Sequence, residues 1–220
     1  MKSSLLSTAL LLAAAMLARA DLVIVQRVEG GGQAGEQTIK IKGDKSRTDL
    51  NPTLSMITDG TTGEMVTLMH TGRTFVKLSQ EQMKKMMEQL QKMRTNAEPP
   101  KLQPTGKKEK VGDYDCEIFT TNLGALTITY WIAKDFPNYQ GVLGQLEKFQ
   151  ASTLSAMGKG ITPDLKDFPG MMMKTEMDQG GKKVVTTIVS AKEENVDPAV
   201  FVIPKAYTEA KPSALNFDGK

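Results

Sequence analysis

Residues 38–42 read Thr-Ile-Lys-Ile-Lys, a polar–apolar alternation that predicts a strand with one face in a core. Residues 22–28 are rich in Val and Ile and stop at the glycine-rich stretch 30–35. Gly43-Asp44 predicts a turn, 46–50 a strand closed by Asn51-Pro52, and 54–58 another strand before the turn residues 59–63. Residues 65–70 and 73–78 flank Thr71-Gly72, which predicts a two-residue hairpin connection. About six strands joined by short turns pair as an antiparallel meander.

The period then changes. Ser79 with Gln82 three residues on is a capping box, and Met83, Met86, Met87, Leu90 and Met93 follow at helical spacing with Lys, Glu and Gln between them. Residues 95–106 hold Pro99, Pro100 and Pro104 and are expected to be a linker. Strands resume over 108–111, 116–121 and 126–133, with turns at Gly112-Asp113 and 122–124. Leu126, Ile128, Tyr130 and Ile132 share one face. A second helix is expected over 139–157, with Val142, Leu146 and Phe149 inward, ended by Gly158, Gly160 and Pro163. Strands over 171–178 and 183–191 follow, and a turn over 197–204 docks Phe201. The fold class is therefore α+β, mainly β. A long antiparallel sheet must curl or close to manage its edges, and two amphipathic helices need apolar cover. An open, strongly curved half-barrel of about eleven strands, with both helices on its concave face, satisfies both demands.

The first twenty residues stand apart. Met1 and Lys2 give a positive start, 5–17 is an apolar run, and Ala18-Arg19-Ala20 offers small residues where signal peptidase reads. Cleavage after Ala20 leaves Asp21 as the first residue of one domain, 21–220. The apolar run is shorter than the roughly 20 residues of a membrane span, and no Cys follows it for lipidation. An exported protein is expected, periplasmic or secreted and not lipid-anchored, with no transmembrane segment in the mature chain. The full chain has 28 Lys plus Arg against 25 Asp plus Glu, a net charge of +3. Without Lys2 and Arg19 the excess falls to +1, too little for nucleic-acid binding. One Cys excludes an intramolecular disulfide, and one His excludes a two-histidine metal site.

Residues 112–116, Gly-Asp-Tyr-Asp-Cys, the strand carrying Trp131, and residues 201–207, Phe-Val-Ile-Pro-Lys-Ala-Tyr, in this element order resemble a family of exported bacterial proteins of unknown function. That family in turn resembles the periplasmic lipoprotein carriers of the LolA, LolB and LppX-like group. The resemblance implies an open half-barrel of roughly eleven strands with helices on the concave face, and a cavity lined by scattered apolar residues. The chain departs from those carriers in its Met-rich helix and low aromatic content, 5%.

Chemical motifs change little. Residues 30–35 match G-x-G-x-x-G, but the alternating stretch that follows predicts a strand where a dinucleotide site needs a helix. His70 has no Ser, Cys or carboxylate fixed beside it by a motif, and reads as a strand-end histidine next to a turn. Cys116 lies between Asp115 and Glu117, an acidic setting that disfavours a thiolate, and reads as a small buried residue. Methionine is the anomaly, with 14 in the chain and three consecutive at 171–173. Core packing explains such residues, an adaptable apolar surface for an acyl chain is a second reading, and Cu(I) binding by Met83, Met86 and Met87 a third. The expected function is a non-enzymatic carrier or binding protein for a hydrophobic ligand: a lipid, an acyl chain or a lipoprotein. Met83, Met86, Met87, Leu90, Met93, Val142, Leu146 and Phe149 are its candidate lining, with no cofactor or metal and a monomeric state expected. The alternatives are a structural or interaction module of the envelope without ligand, and methionine-based copper binding.

Overall fold

The computed structural model describes residues 21–31, 34–92, 100–123, 126–147 and 163–211. Six strands come first: β1 Asp21–Glu29, β2 Gly35–Lys42, β3 Lys45–Asn51, β4 Leu54–Asp59, β5 Glu64–Met69 and β6 Thr74–Leu78. Helix α1, Gln80–Lys92, leads to β7 Gln103–Val111, β8 Tyr114–Leu123 and β9 Leu126–Ala133. Helix α2, described over 139–147, precedes β10 Met171–Gln179 and β11 Lys182–Glu194. A two-residue strand, β12 Thr208–Glu209, closes the order.

All twelve strands form one sheet, in the order β12-β6-β5-β4-β3-β2-β1-β11-β10-β9-β8-β7. It is open and curved, not closed into a barrel. Two meanders, β1–β6 and β7–β11, meet where β1 pairs antiparallel with β11 over Asp21↔Glu194 to Glu29↔Val185. The chain therefore returns to its own N-terminal strand to complete the middle of the sheet. Helix α2 packs on the inner face through Val142 and Leu146, beside Ile41 and Ile39. Helix α1 links the two meanders, and α2 is inserted between the paired neighbours β9 and β10.

Several sequence expectations change in detail. The proline-containing stretch does not stay a linker: β7 begins at Gln103 and takes in Pro104 and Gly106. Its pairing with β8 shifts between Pro104 and Lys108. Proline is tolerated there because β7 is an edge strand, whose outward N–H groups need no partner. Every residue of β7 but Val111 is exposed, and its lysines, proline and irregular register blunt an edge that would otherwise template further strands. The β5–β6 connection has four residues, with Met69 opposite Thr74 and Arg73 left-handed at φ 48°. The β8 strand runs on through Asn122 and Leu123, paired to Thr127 and Leu126. A twelfth strand, β12, adds to the expected eleven by running parallel to β6.

Other expectations hold. Ser79 and Gln82 form the capping box, with the Ser79 N–H donating to Gln82 Oε1 at 2.8 Å and the Gln82 N–H to Ser79 Oγ at 3.3 Å. Gly30 is left-handed at φ 79°, and a Cβ there would run into the Lys183 carbonyl. The glycine thus serves a tight turn against β11 and not a phosphate, and β2 follows instead of a helix. Cys116 is buried and free, and burial pushes its thiol up. Expectations for residues 1–20, the linker at 95–99 and helix 2 beyond residue 147 lie outside the described residues.

Three clusters hold the layers together. The central one packs Leu22, Ile24, Ile41, Trp131, Ala133, Cys116, Met171 and Met173 around Val142, with Leu146 against it. A second joins Ile57, Val66, Leu68 and Phe75 of β4–β6 to Val196 and Phe201. A third joins Ile128, Tyr130 and Ile132 to Phe168. The consecutive methionines divide between two of these: Met171 and Met173 enter the first, and Met172 packs on the third. Trp131 is fixed by a bond from its Nε1–H to Glu109 at 2.9 Å and by Lys174, whose Nζ lies 4.1 Å from the ring centroid.

Candidate functional site

Strand register sorts the side chains of β1–β6 onto two faces. One row reads Ile39–Thr48–Met56–Thr67–Val76 across β2 to β6, and the next reads Ile41–Ser46–Thr58–Met65–Leu78. Leu54, Met69 and Thr74 continue this face. Since Ile41 and Ile39 pack with Val142 and Leu146 of α2, this is the face that α2 covers. The inner positions on β3 to β6 carry no charge, and among them only Ser46 and Val76 are buried, the rest being half-buried.

The inner face thus has two parts. Around β1, β2 and β11 it is filled by the protein itself, through Val142, which is 3% exposed, and the half-buried Leu146. Across β3–β6 it forms an uncharged surface of thioethers, leucines and hydroxyls that is only half covered. Among the described residues no side-chain hydrogen bond engages the hydroxyls of Thr48, Thr58 or Thr67. Helix α1 turns Met83 inward to 3% exposure and leaves Lys84, Lys85 and Glu88 in water. Lys85 pairs with Glu81 one turn earlier at 2.7 Å.

Of the expected lining, Met83 and Val142 are core residues, and Leu146 packs beside Val142. Met83 is not in the cluster that holds the α2 pair. The side chains of Met86, Met87 and Leu90, and residues Met93 and Phe149, lie outside the described residues. Among the described residues, the α2 pair Val142 and Leu146 is brought together. What the sequence did not single out is the sheet's own contribution: Met56, Met65, Met69, Leu54 and Leu78. The signal for them is the same alternation that predicted the strands.

The outer face differs. Its rows read Lys42–Lys45–Asp59–Glu64 and Lys40–Arg47–Ile57–Val66–Lys77. The C-terminal strap, 195–210, crosses it and is tied at four places. The buried Asp21 carboxylate accepts the Val196 N–H at 2.9 Å and the Lys42 ammonium at 2.5 Å. Arg47 Nη1 donates to the Val200 carbonyl at 3.1 Å, and β12 pairs with β6. The fourth tie is a polar chain in which Tyr207 Oη lies 2.6 Å from His70 Nδ1, His70 Nε2 lies 2.7 Å from Ser55 Oγ, and Ser55 Oγ lies 2.7 Å from Asp49 Oδ1.

This chain brings serine, histidine and aspartate together, a grouping that no local motif announces. Its proton directions decide its chemistry. Burial raises the Asp49 carboxyl, but hydrogen bonds from Ser55, Arg47 and Lys40 outweigh that and lower it to about 2. An ionised Asp49 takes the single proton of Ser55. The Ser55 oxygen must then accept from His70 Nε2–H and from Arg47 Nη2 at 3.2 Å. His70 therefore donates to Ser55 and cannot act as its base, the reverse of what a nucleophilic serine requires. Ser55 is also 1% exposed, out of reach of a substrate. The arrangement is a clasp for the strap. Between the strap and β4–β5 lies a cleft of about 290 Å³, floored by Ile57, Val66, Phe201 and Ile203. Charges at its rim are paired, Lys45 with Asp59 at 3.3 Å and Lys77 with Glu64 at 3.6 Å.

The fold and the inner face define an open antiparallel half-barrel with two helices, its inner face packed by α2 at the centre and, over four strands, uncharged and half covered. Over residues 23–207 the chain matches the family described as Domain of unknown function (DUF4412), and it belongs to that family. No curated protein matches the chain. Solved structures of PNGF-II in the C2 and P21 space groups are similar to it at 13% and 15% identity, each with a TM-score of 0.43. These matches cover 89% of this chain and 32% of the other, so the chain spans about a third of the length of those structures.

Proposed function

We propose that this protein is an exported, non-enzymatic carrier of a hydrophobic ligand, an acyl chain of a lipid or lipoprotein, held between the inner face of β3–β6 and α1. One observation carries the reading: four neighbouring strands of a sheet with a well-charged outer face present an inner face with no charge and only partial cover. A sheet face meant for water carries polar and charged residues. A face meant only for the protein's own core is closed, as it is beneath α2. An uncharged, half-open face fits neither purpose and suits a ligand that supplies the missing cover. Flexible thioethers, Met56, Met65 and Met69 on the sheet and the methionines in the sequence of α1, can repack around chains of different shape.

Export is supported by the three-part pattern of residues 1–20, and the lipoprotein-carrier likeness by the element order of the sequence. The direction of the Ser55 proton speaks against hydrolytic chemistry on the outer face. Titration of the chain from residue 21 with N-phenyl-1-naphthylamine, an uncharged fluorophore that brightens in apolar sites, tests the proposal. Saturable enhancement is expected, weakened by Met65→Gln or Leu54→Gln more than either lowers the melting temperature. Absence of saturable binding rejects the carrier, and a ligand-free structural module then takes its place.

A further inference from the structure

The inner face is more selective than an apolar slot. Its polar groups on β3–β6 are hydroxyls and, at the end of β3, the Asn51 amide, whose oxygen is taken up by Thr53, and Thr48 and Thr67 flank Met56 in one row, about 10 Å apart at two strand spacings. A hydroxyl can donate to an ester or amide carbonyl, but it cannot neutralise a carboxylate. The cations of these strands cannot help. Lys45, Arg47 and Lys77 alternate with the inner residues and so point outward, where each is paired with a carboxylate. On α1, Lys84 is exposed, so an ionised group reaching it would remain at the rim in water.

We infer that the groove takes neutral acyl compounds, esters or amides whose carbonyls meet the threonine hydroxyls, and discriminates against the ionised head of a free fatty acid. The inference rests on the carrier reading above and narrows it. Moving a carboxylate onto an uncharged, partly desolvated surface without a partner is costly, and each 1.4 kcal/mol of that cost is a tenfold loss of affinity.

Displacement of N-phenyl-1-naphthylamine from the chain beginning at residue 21, by methyl decanoate and by decanoate at pH 7.5, separates the cases. The ester is expected to displace the probe at a concentration on the order of tenfold lower than the acid. Greater hydrophobicity of the ester would also favour it, so Thr67→Lys and Thr58→Lys supply the control. A cation placed on the inner face should narrow or invert the ratio by improving the acid. Equal or tighter binding of decanoate to the unaltered chain overturns the inference while leaving the carrier intact. So does an ester preference unchanged in both lysine variants, each folded by circular dichroism. Failure of the probe itself to bind rejects the carrier reading, and the inference with it.

Discussion

The two faces of β3–β6 are made by alternate residues of the same strands, yet they are finished in different ways. Outside, Ile57, Val66, Leu68 and Phe75 are sealed by Val196 and Phe201 of the strap, and the polar residues among them are bonded to one another. Inside, Met56, Met65, Met69 and Leu54 are uncharged and left half open. A chain that can close one face with its own C-terminus has the means to close apolar surface where it needs to. The contrast teaches that partial cover is informative when a fully covered surface of the same sheet stands beside it.

Mutations can widen or erase that contrast. Leu68→Ala should have the largest effect, about 2–5 kcal/mol by urea unfolding, since Leu68 has no exposed surface and its truncation leaves a cavity under the strap. A loss below about 1 kcal/mol would mean that the strap is not a true second layer. Ser55→Ala should cost about 1–3 kcal/mol, because Asp49, His70 and Arg47 each lose a partner in a poorly hydrated place. Tyr207→Phe removes one bond from the same chain and should cost about 1 kcal/mol.

Acid should loosen the outer face by a related route. The Asp49 carboxyl is held at about 2, below its unfolded value of 3.8, so the stabilisation it gives is present in full above about pH 4 and is lost as the pH falls toward 2. Screening of this part-exposed group leaves about 1–2 kcal/mol. Asp49→Asn should remove that part of the slope in stability between pH 4 and pH 2, and an unchanged slope would assign it to other carboxylates. The smallest effect is expected inside: Met56→Ala should cost less than about 1 kcal/mol, because part of that side chain is already in water. A loss as large as that of Leu68→Ala would erase the distinction between the faces.

Much of the fold was legible because strands of this kind are written as alternation, and because Ser79 and Gln82 mark the start of α1 by their own hydrogen bonds. The uncharged inner face was legible in the same way: Lys45-Ser46-Arg47-Thr48-Asp49 already places every charge on one side. The clasp was not. Ser55 and His70 come together through the β4–β5 register, and Tyr207 arrives from 137 residues away, a separation that no local motif records. Nor was the strand character of Pro104 legible, since it depends on β7 having no outer neighbour.

The pairing of β1 with β11 sets a clock on folding. The first strand out of the ribosome has one neighbour available early, in β2, but its other edge waits for residues 185–194. At elongation rates of about 5–20 residues per second that wait is roughly 10–35 s. Until then Leu22 and Ile24 lack half of their final surroundings, and the first meander is an open-ended sheet whose free edge is its future centre. Pairings this distant in sequence make for slow folding. The sheet gains its continuous centre only when β11 arrives, late in synthesis, and β12 is the last strand to join, at its edge.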